Sequence, residues 1–75
     1  MEEETLDFRG LKCPLPALMS RRALARLPPG STAIILATDP LAVVDIPHMC
    51  GEEGHSVESV TRQEDHSAFR IRRGD

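Results

Sequence analysis

Two proline dipeptides restrict this chain to a repeated strand–helix order. Cys13-Pro14 follows a short segment with Leu6 and Phe8 at alternate positions, and Asp39-Pro40 follows a nearly continuous apolar run over residues 32–38. Proline is favoured at the first position of a helix, where its fixed φ fits and its missing N–H removes no helical hydrogen bond. We therefore predict a strand before each dipeptide and a helix after it.

The complete predicted order is β-α-β-α-β-β. We expect strands over 5–9, 32–38, 57–62 and 67–72, and helices over 14–27 and from 40 to 49 or 52. Pro28-Pro29-Gly30 ends the first helix, Asp39 is expected to cap the second, and Pro47 is expected to distort it. Right-handed crossovers place both helices on the same face of the sheet. The predicted fold class is an α+β two-layer sandwich of four strands and two helices, with the other sheet face uncovered.

Length and composition indicate one small domain that cannot enclose a large substrate. The 75 residues include two Phe and no Trp or Tyr, so aliphatic side chains must supply the core. We expect a single domain over 1–75, in which residues 1–4 form a flexible acidic leader. An enzyme of this size would have to act at its surface, on something that another protein presents.

Charge and hydropathy narrow the range of partners. The formal net charge of −3 argues against general nucleic-acid binding, which needs a basic field. No apolar run has the length of a signal peptide core or a membrane span. Two cysteines are few for a small secreted scaffold. We expect a monomeric protein of the reducing cytoplasm, with no membrane association, no direct nucleic-acid partner and no cofactor.

Cys13 is the candidate reactive residue, because it is expected to be the N-cap of the first helix. The residues that support this helix N-terminus are Lys12, Pro14, Leu15 and Pro16. The two prolines remove two donors, so the N–H groups of Leu15 and Ala17 are expected to face the sulfur. The helix dipole and the Lys12 charge favour the nucleophilic thiolate, so we expect a lowered pKa for Cys13. The alternative is that Cys13 only packs as a small apolar residue.

The first helix is expected to bury one face and to present a docking surface on the other. The predicted core-facing residues are Met19, Ala23, Leu24 and Leu27. Leu15 and Leu18 fall on the opposite arc with Arg22 and Arg26. Two exposed leucines beside a nucleophile, bordered by arginines, suit transient docking of a partner with an acidic rim.

Cys50 is expected to be buried on the second helix. Its core-facing arc comprises Ala42, Val43, Ile46, Met49 and Cys50. A free cysteine in such a position usually behaves as a small hydrophobe. The functional alternative is a resolving or second sulfur-handling thiol for Cys13.

A metal site is the weaker interpretation of the histidines and cysteines. His48, Cys50 and His55 could act as metal ligands with Cys13 as the fourth. However, the side chains at positions 48 and 50 diverge by about 160° on a helix. No C-x2-C pair supports a zinc site, so we predict no metal. Asp7 and Asp45 could form a carboxylate pair, but nothing in the sequence places them together.

The residues around Cys13 resemble the opening signature of the TusA/SirA-like sulfur carriers. The signature residues are Leu6-Asp7, Gly10-Leu11, Cys13-Pro14 and Pro16. Later matches are Arg21, Pro29-Gly30, Ala37-Thr38-Asp39-Pro40, Asp45-Ile46-Pro47, Cys50, Gly54-His55 and Phe69-Arg70-Ile71-Arg72. The resemblance runs from about residue 5 to the C-terminus.

This resemblance implies a fold and an activity. The fold is a mixed sheet whose last strand is inserted antiparallel between the second and third. The activity is that of a sulfur carrier or sulfurtransferase, which holds sulfane sulfur as a persulfide on Cys13. The implied partners are a donor protein of the cysteine desulfurase or rhodanese type and an acceptor protein. Family destinations include transfer RNA thiolation, molybdenum-cofactor metabolism and sulfur oxidation, and the sequence does not select among them.

Two other functions stay open. A regulatory module without transfer chemistry could bind acidic partner proteins or RNA through exposed arginines. The candidates are Arg21, Arg22, Arg26, Arg70, Arg72 and Arg73. A thiol–disulfide reductase would need a resolving cysteine, and Cys50 is poorly oriented for that role.

Overall fold

The computed structural model describes residues 3–74 and has the predicted element order. The elements are β1 (Glu4–Asp7), α1 (Leu15–Ala25), β2 (Thr32–Ala37), α2 (Ala42–Glu53), β3 (Ser56–Arg62) and β4 (Ser67–Arg72). The bounds of β4 are those expected from the sequence. The other elements differ from the prediction by between one and four residues at one or both ends, where propensity and pattern are least informative.

The strands form one mixed sheet in the order β1-β2-β4-β3. β1 and β2 are parallel, with Leu6 opposite Ile35, whereas β4 is antiparallel to both β2 and β3. The insertion of the last strand between the second and third, which the family resemblance implied, is confirmed. A register shift between Val57 and Ser59 marks an irregularity in β3.

The core lies between one face of the sheet and the two helices. Alternate residues of β2 are fully enclosed and the residues between them are half-buried. The buried apolar residues are Leu24, Ala33, Ile35, Ala37, Ala42, Ile46, Met49, Cys50, Phe69 and Ile71. This α+β arrangement with two layers agrees with the predicted fold class. The predicted core-facing arc of α2 is also confirmed, although Val43 is only partly buried.

The buried face of α1 matches the predicted one only in part. Leu24 is buried and Leu27 packs partly buried against the core, as predicted. Pro16 and Ser20 are also buried, whereas Met19 is exposed. The Ser20 hydroxyl donates a 2.6 Å hydrogen bond to the Pro16 carbonyl oxygen, which satisfies it inside the core. A wheel drawn from hydrophobicity alone assigned Met19 to the core because it could not anticipate a buried serine.

The second helix begins later and continues further than expected. Leu41, not Asp39, is its N-cap, and the helix continues through Pro47 to Glu53. Pro47 forgoes a hydrogen bond but does not end the helix. Gly54 follows with φ of 80°, a left-handed conformation that favours glycine at a helix C-terminus.

Part of the expected acidic leader belongs to the fold. β1 begins at Glu4, and the Glu3 carboxylate forms an ion pair with Arg70. Glu4 is paired with Ala33 of β2, so the sheet extends into the segment predicted to be a leader, and its flexibility stays a prediction. Its remaining part, Met1 and Glu2, lies outside the described residues. Within residues 3–74, no helix has the length and apolar character needed to cross a membrane.

Candidate functional site

Two loops that follow neighbouring parallel strands build the site. The β1–α1 loop spans residues 8–14 and the β2–α2 loop spans residues 38–41. Gly10 turns the first loop with φ of +89°, which a side chain would disfavour. Its N–H donates a 2.8 Å hydrogen bond to Thr38 Oγ1. The second loop thereby holds the segment that carries Cys13.

Asp39 fixes the backbone of Cys13. One carboxylate oxygen, Oδ2, accepts the Cys13 N–H at 2.8 Å, and Oδ1 accepts the Leu41 N–H at 2.8 Å. These two hydrogen bonds, with the nearby Lys12 charge, lower the pKa of Asp39 below its usual value despite partial desolvation. The residue predicted to cap α2 instead joins the two loops.

The Cys13 thiol donates its hydrogen bond to Asp45. The distance from Sγ to Asp45 Oδ2 is 2.9 Å, and Asp45 lies in the first turn of α2. This hydrogen bond raises the pKa of Cys13 above that of an ordinary thiol. Partial desolvation and the negative charges of Asp45 and Asp39 act in the same direction on that pKa. The expectation of a lowered pKa for Cys13 is therefore wrong.

The start of α1 explains why the expected stabilisation of a thiolate is missing. Pro14, joined to Cys13 by a cis peptide bond, is the N-cap, so the sulfur lies one residue further from the helix than predicted. The Leu15 N–H donates to the Lys12 carbonyl oxygen at 2.8 Å and does not face the sulfur. The hydrogen bond to Asp45 and the nearby carboxylate charges therefore set the direction of the pKa shift of Cys13, and a helix dipole has only a weak effect at exposed positions.

Exposed apolar side chains lie on both helices close to Cys13. On α1, Leu15 is 42% exposed and Leu18 is 37% exposed, as the helical wheel predicts. At the start of α2, Leu41 is 54% exposed and Val44 is 62% exposed. The α2 pair was not predicted, because a wheel of one helix does not show which second helix approaches the thiol.

Arg22 and Arg26 lie along a groove between α1 and β1. The groove has a volume of about 440 Å³ and is also lined by Leu6, Phe8 and Met19. Among residues 3–74, no ion pair involves either arginine, whereas Arg9, Arg70 and Arg72 each contact a carboxylate. The α1 arginines thus provide a positive border to a groove that Glu4 also lines.

Cys50 is enclosed, as predicted. Its side chain is 1% exposed within the core cluster, and burial raises its pKa to about 11. Both cysteines are free thiols. In this structure Cys50 behaves as a small hydrophobic residue and is not accessible to a second protein.

The side chains of the three histidines contact carboxylates or the C-terminal segment, with His66 Nδ1 at 2.7 Å from Asp65 Oδ1. His48 approaches Glu52 at 3.6 Å, and the Nδ1 atom of His55 accepts the Gly74 N–H at 2.9 Å. Within the part of the chain that the structure describes, no group of three or more His, Cys, Asp or Glu residues could hold a metal ion.

The sequence did not identify Asp45 as a neighbour of Cys13. Asp39 is expected from the sequence only to cap α2, and a pair of Asp45 with Asp7 is left open there. In the structure Asp7 binds the Arg9 guanidinium at 2.7 Å. The contact between the two loops could in principle be predicted, because loops at the carboxyl ends of adjacent parallel strands meet at one edge of a sheet. This rule can be used only when the strand order is known, and the hydrophobic periodicity of the sequence does not provide that order.

Comparison with known proteins extends over almost the whole chain. Two Neisseria meningitidis proteins, from serogroups A and B, are each 42% identical over 64 residues. Each carries the name "Putative sulfur carrier protein", and each alignment covers 85% of this chain and 86% of the relative. A crystal structure of a SirA-like protein from Desulfitobacterium hafniense has a TM-score of 0.81 at 23% identity. It covers 96% of this chain and 99% of that protein, and it supports the fold alone.

The family model "Sulfurtransferase TusA" matches residues 4–73, from the start of the first strand to the residue after the last strand. This range includes both loops of the site, Cys13 and the carboxylates that surround it. The chain belongs to the TusA sulfurtransferase family, and a sulfur carrier role follows from that membership.

Proposed function

We propose that this protein holds sulfane sulfur as a persulfide on Cys13 and relays it from a donor protein to an acceptor protein. The observation that carries the proposal is the position of Cys13, which is the exposed one of the two thiols. It lies on a loop within the matched family region, where another protein surface can reach it.

The transfer is an exchange between two sulfur compounds. Cys13 Sγ attacks the terminal sulfur of the donor persulfide, and a new S–S bond forms as the donor S–S bond breaks. The Cys13 proton passes to the departing donor sulfur, directly or through water, so that donor thiol and Cys13 hydropersulfide result. The same exchange with an acceptor cysteine then removes the outer sulfur and restores the Cys13 thiol. No external oxidant or reductant is required.

Docking centres on the surface formed by Leu15, Leu18, Arg22 and Arg26. The two leucines are exposed next to Cys13, and the two arginines have no ion pair within residues 3–74. A partner with a small apolar patch and an acidic rim fits this docking surface. Leu41 and Val44, which are exposed at the start of α2, are candidates for an extension of this surface onto the helix that carries Asp45.

The start of α1 and the cellular environment both bear on the transfer. Four residues shape the start of α1 and thereby position the sulfur, namely Lys12, Pro14, Leu15 and Pro16. The donor is a persulfide-forming protein, such as a cysteine desulfurase or a rhodanese. The chain works as one domain, in the reducing cytoplasm, where a free thiol persists.

A loading experiment tests the proposal. Three proteins are compared: the wild type, Cys13→Ser and Cys50→Ala. Each is incubated with a cysteine desulfurase and its substrate cysteine in the absence of reductant. Sulfur adducts are then measured by intact-mass spectrometry. We expect a gain of sulfur in the wild type and in Cys50→Ala, and none in Cys13→Ser. Full loading of Cys13→Ser would end the proposal and favour a regulatory binding module, which should tolerate serine at position 13.

A further inference from the structure

Asp45 is the residue that contacts the sulfur of Cys13 directly. Its Oδ2 atom accepts the hydrogen bond of Cys13 Sγ at 2.9 Å, and no other hydrogen bond of Sγ is found among residues 3–74. The backbone of Cys13 is held separately, because its N–H donates to Asp39. Asp45 therefore orients the Cys13 side chain and accepts the hydrogen bond of its thiol, whereas the loop that carries Cys13 is held by Asp39.

The charged groups that face Cys13 come from three segments. Asp45 belongs to α2, Asp39 to the β2–α2 loop, and Lys12 precedes Cys13 in its own loop. The first turn of α1 contributes no acidic residue and no basic one, since it contains only Leu15, Pro16, Ala17 and Leu18. Two carboxylates consequently oppose one lysine, whose charge acts on Asp39.

A carboxylate responds differently to a thiol and to a sulfur anion. It accepts a hydrogen bond from S–H, but it repels a thiolate at the same distance. Once an outer sulfur is bonded to Sγ, the inner sulfur has no proton left to donate. The outer sulfur is anionic when the hydropersulfide ionises, and Asp45 then repels it.

We propose that Asp45 is a positioning residue that holds the unloaded Cys13 as a hydrogen-bonded thiol and releases the side chain once sulfur is bound. This inference rests on the proposed carrier function. The empty carrier keeps its sulfur against α2 in the less nucleophilic form, so small oxidants and alkylating reagents react slowly. Once the hydropersulfide of the loaded carrier ionises, its outer sulfur turns away from Asp45 and toward the docking surface. Empty and loaded carriers therefore present different surfaces to a partner.

The pH dependence of alkylation tests the first half of this inference. Iodoacetamide modification of Cys13 is followed by peptide mass spectrometry in wild type, Asp45→Asn and Asp45→Glu. Glu52→Gln is the matched control, because it removes a carboxylate from the same helix away from the thiol. We expect Asp45→Asn to react several-fold faster at neutral pH, with an inflection at lower pH than in the wild type. Asp45→Glu should restore part of the slow reaction, and Glu52→Gln should match the wild type.

An unchanged or slower reaction of Asp45→Asn overturns the inference, since a slower one would make Asp45 an activating base. A second comparison covers the case in which the variant does not fold. The wild-type inflection should lie above that of a synthetic peptide of residues 11–17, in which Asp45 is absent. An inflection equal to or below that of the peptide also overturns the inference.

Loading the protein with sulfur tests the second half. Backbone amide resonances of Val44, Asp45 and Ile46 should shift when the wild type is converted to the persulfide by a desulfurase. Loaded Asp45→Asn should show clearly smaller shifts, and equal shifts in both proteins would contradict the release step. The two hypotheses fail in different ways: sulfur loading of Cys13→Ser refutes the carrier function, whereas the alkylation profile refutes only the role of Asp45.

Discussion

The two cysteines show how one residue type acquires different properties from its surroundings. Both thiols have a raised pKa, but the causes differ. For Cys13 the main cause is the hydrogen bond to Asp45, which a partner or an added sulfur can break. For Cys50 the cause is burial in the core, which only unfolding removes. Reactivity therefore depends on access as well as on the pKa of each thiol.

The burial of Cys50 predicts a loss of stability at alkaline pH. Its pKa is about 11 in the folded protein, against 9.0 for an unperturbed thiol. Between these values the unfolded chain has lost the proton while the folded chain still holds it, so the free energy of unfolding decreases as pH rises. We expect a loss of about 2 kcal/mol from this thiol near the upper end of the window.

Urea denaturation at neutral pH and at alkaline pH below the folded pKa measures this loss. Cys50→Ala is the control, because it removes the titrating group while retaining an apolar residue and leaves Cys13 in place. The wild type should lose more stability than the variant over this pH interval. Equal losses in the two proteins would show that Cys50 ionises as readily in the folded state as in the unfolded one.

At this scale, short-range properties were predictable and the long-range contact was not. The exposure of Leu15 and the burial of Cys50 follow from helical periodicity. The state of the Cys13 thiol depends on Asp45, which is 32 residues away in the sequence. Local rules concerning the helix N-terminus and Lys12 therefore gave the wrong direction for the pKa of Cys13.

At the scale of elements, the site depends on how consecutive strand–helix units lie side by side. Because β1 and β2 are adjacent and parallel, the loops that follow them meet at one edge. Gly10 binds Thr38 across this junction, and Cys13 binds Asp39. The prolines correctly marked both helix starts to within two residues. They could not show that the side chain of Asp39 would be used by the neighbouring loop.

The outward face of α1 predicts a specific effect of Leu18→Asp. Leu18 is exposed, so the variant should fold and keep the alkylation rate of Cys13 within about twofold, a difference of less than about 0.5 kcal/mol in the barrier. An acidic side chain should, however, disrupt an apolar contact with a partner that has an acidic rim. We expect sulfur transfer at limiting donor concentration to fall by about tenfold, equivalent to about 1.4 kcal/mol of binding.

Val60→Asp provides the matched control for this measurement. Val60 is exposed to a similar extent but lies on the edge strand β3. Transfer rates from a desulfurase, measured by mass spectrometry, should be near the wild-type rate for this control. If Leu18→Asp transfers sulfur at the wild-type rate, docking does not use this face, and the open face of the sheet becomes the next surface to test.

At the scale of the whole molecule, the C-terminal segment joins parts of the fold that are distant in sequence. The Arg73 guanidinium donates to the Leu27 carbonyl oxygen at 2.7 Å, and the Arg73 N–H donates to the Ser31 carbonyl oxygen at 2.7 Å. The Gly74 N–H donates to His55 Nδ1 at 2.9 Å. The end of β4 thereby ties the α1–β2 connection to the turn after α2. These contacts follow from the central position of β4, which the family resemblance implied and the strand periodicity alone did not.

The contact between His55 and Gly74 predicts a loss of stability in mild acid. Burial lowers the pKa of His55 below 6.5, and the Arg73 charge lowers that pKa further. As pH falls through this window, the unfolded chain takes up a proton before the folded chain does, so the free energy of unfolding decreases. Protonation also converts Nδ1 from an acceptor to a donor, which ends its hydrogen bond with the Gly74 N–H. We expect a loss of about 1 kcal/mol or less, because the imidazole is only partly buried.

Urea denaturation across the same pH interval tests this expectation. The proteins compared are the wild type, His55→Asn and His48→Asn. An asparagine oxygen at position 55 can accept the Gly74 N–H and does not titrate, so His55→Asn should lose less stability on acidification than the wild type. His48 is exposed and approaches only Glu52 among its described neighbours, so His48→Asn should follow the wild type closely. If His55→Asn loses as much stability as the wild type, the acid sensitivity comes from other groups. The C-terminal segment would then be held by its arginine contacts, independently of the protonation state of His55.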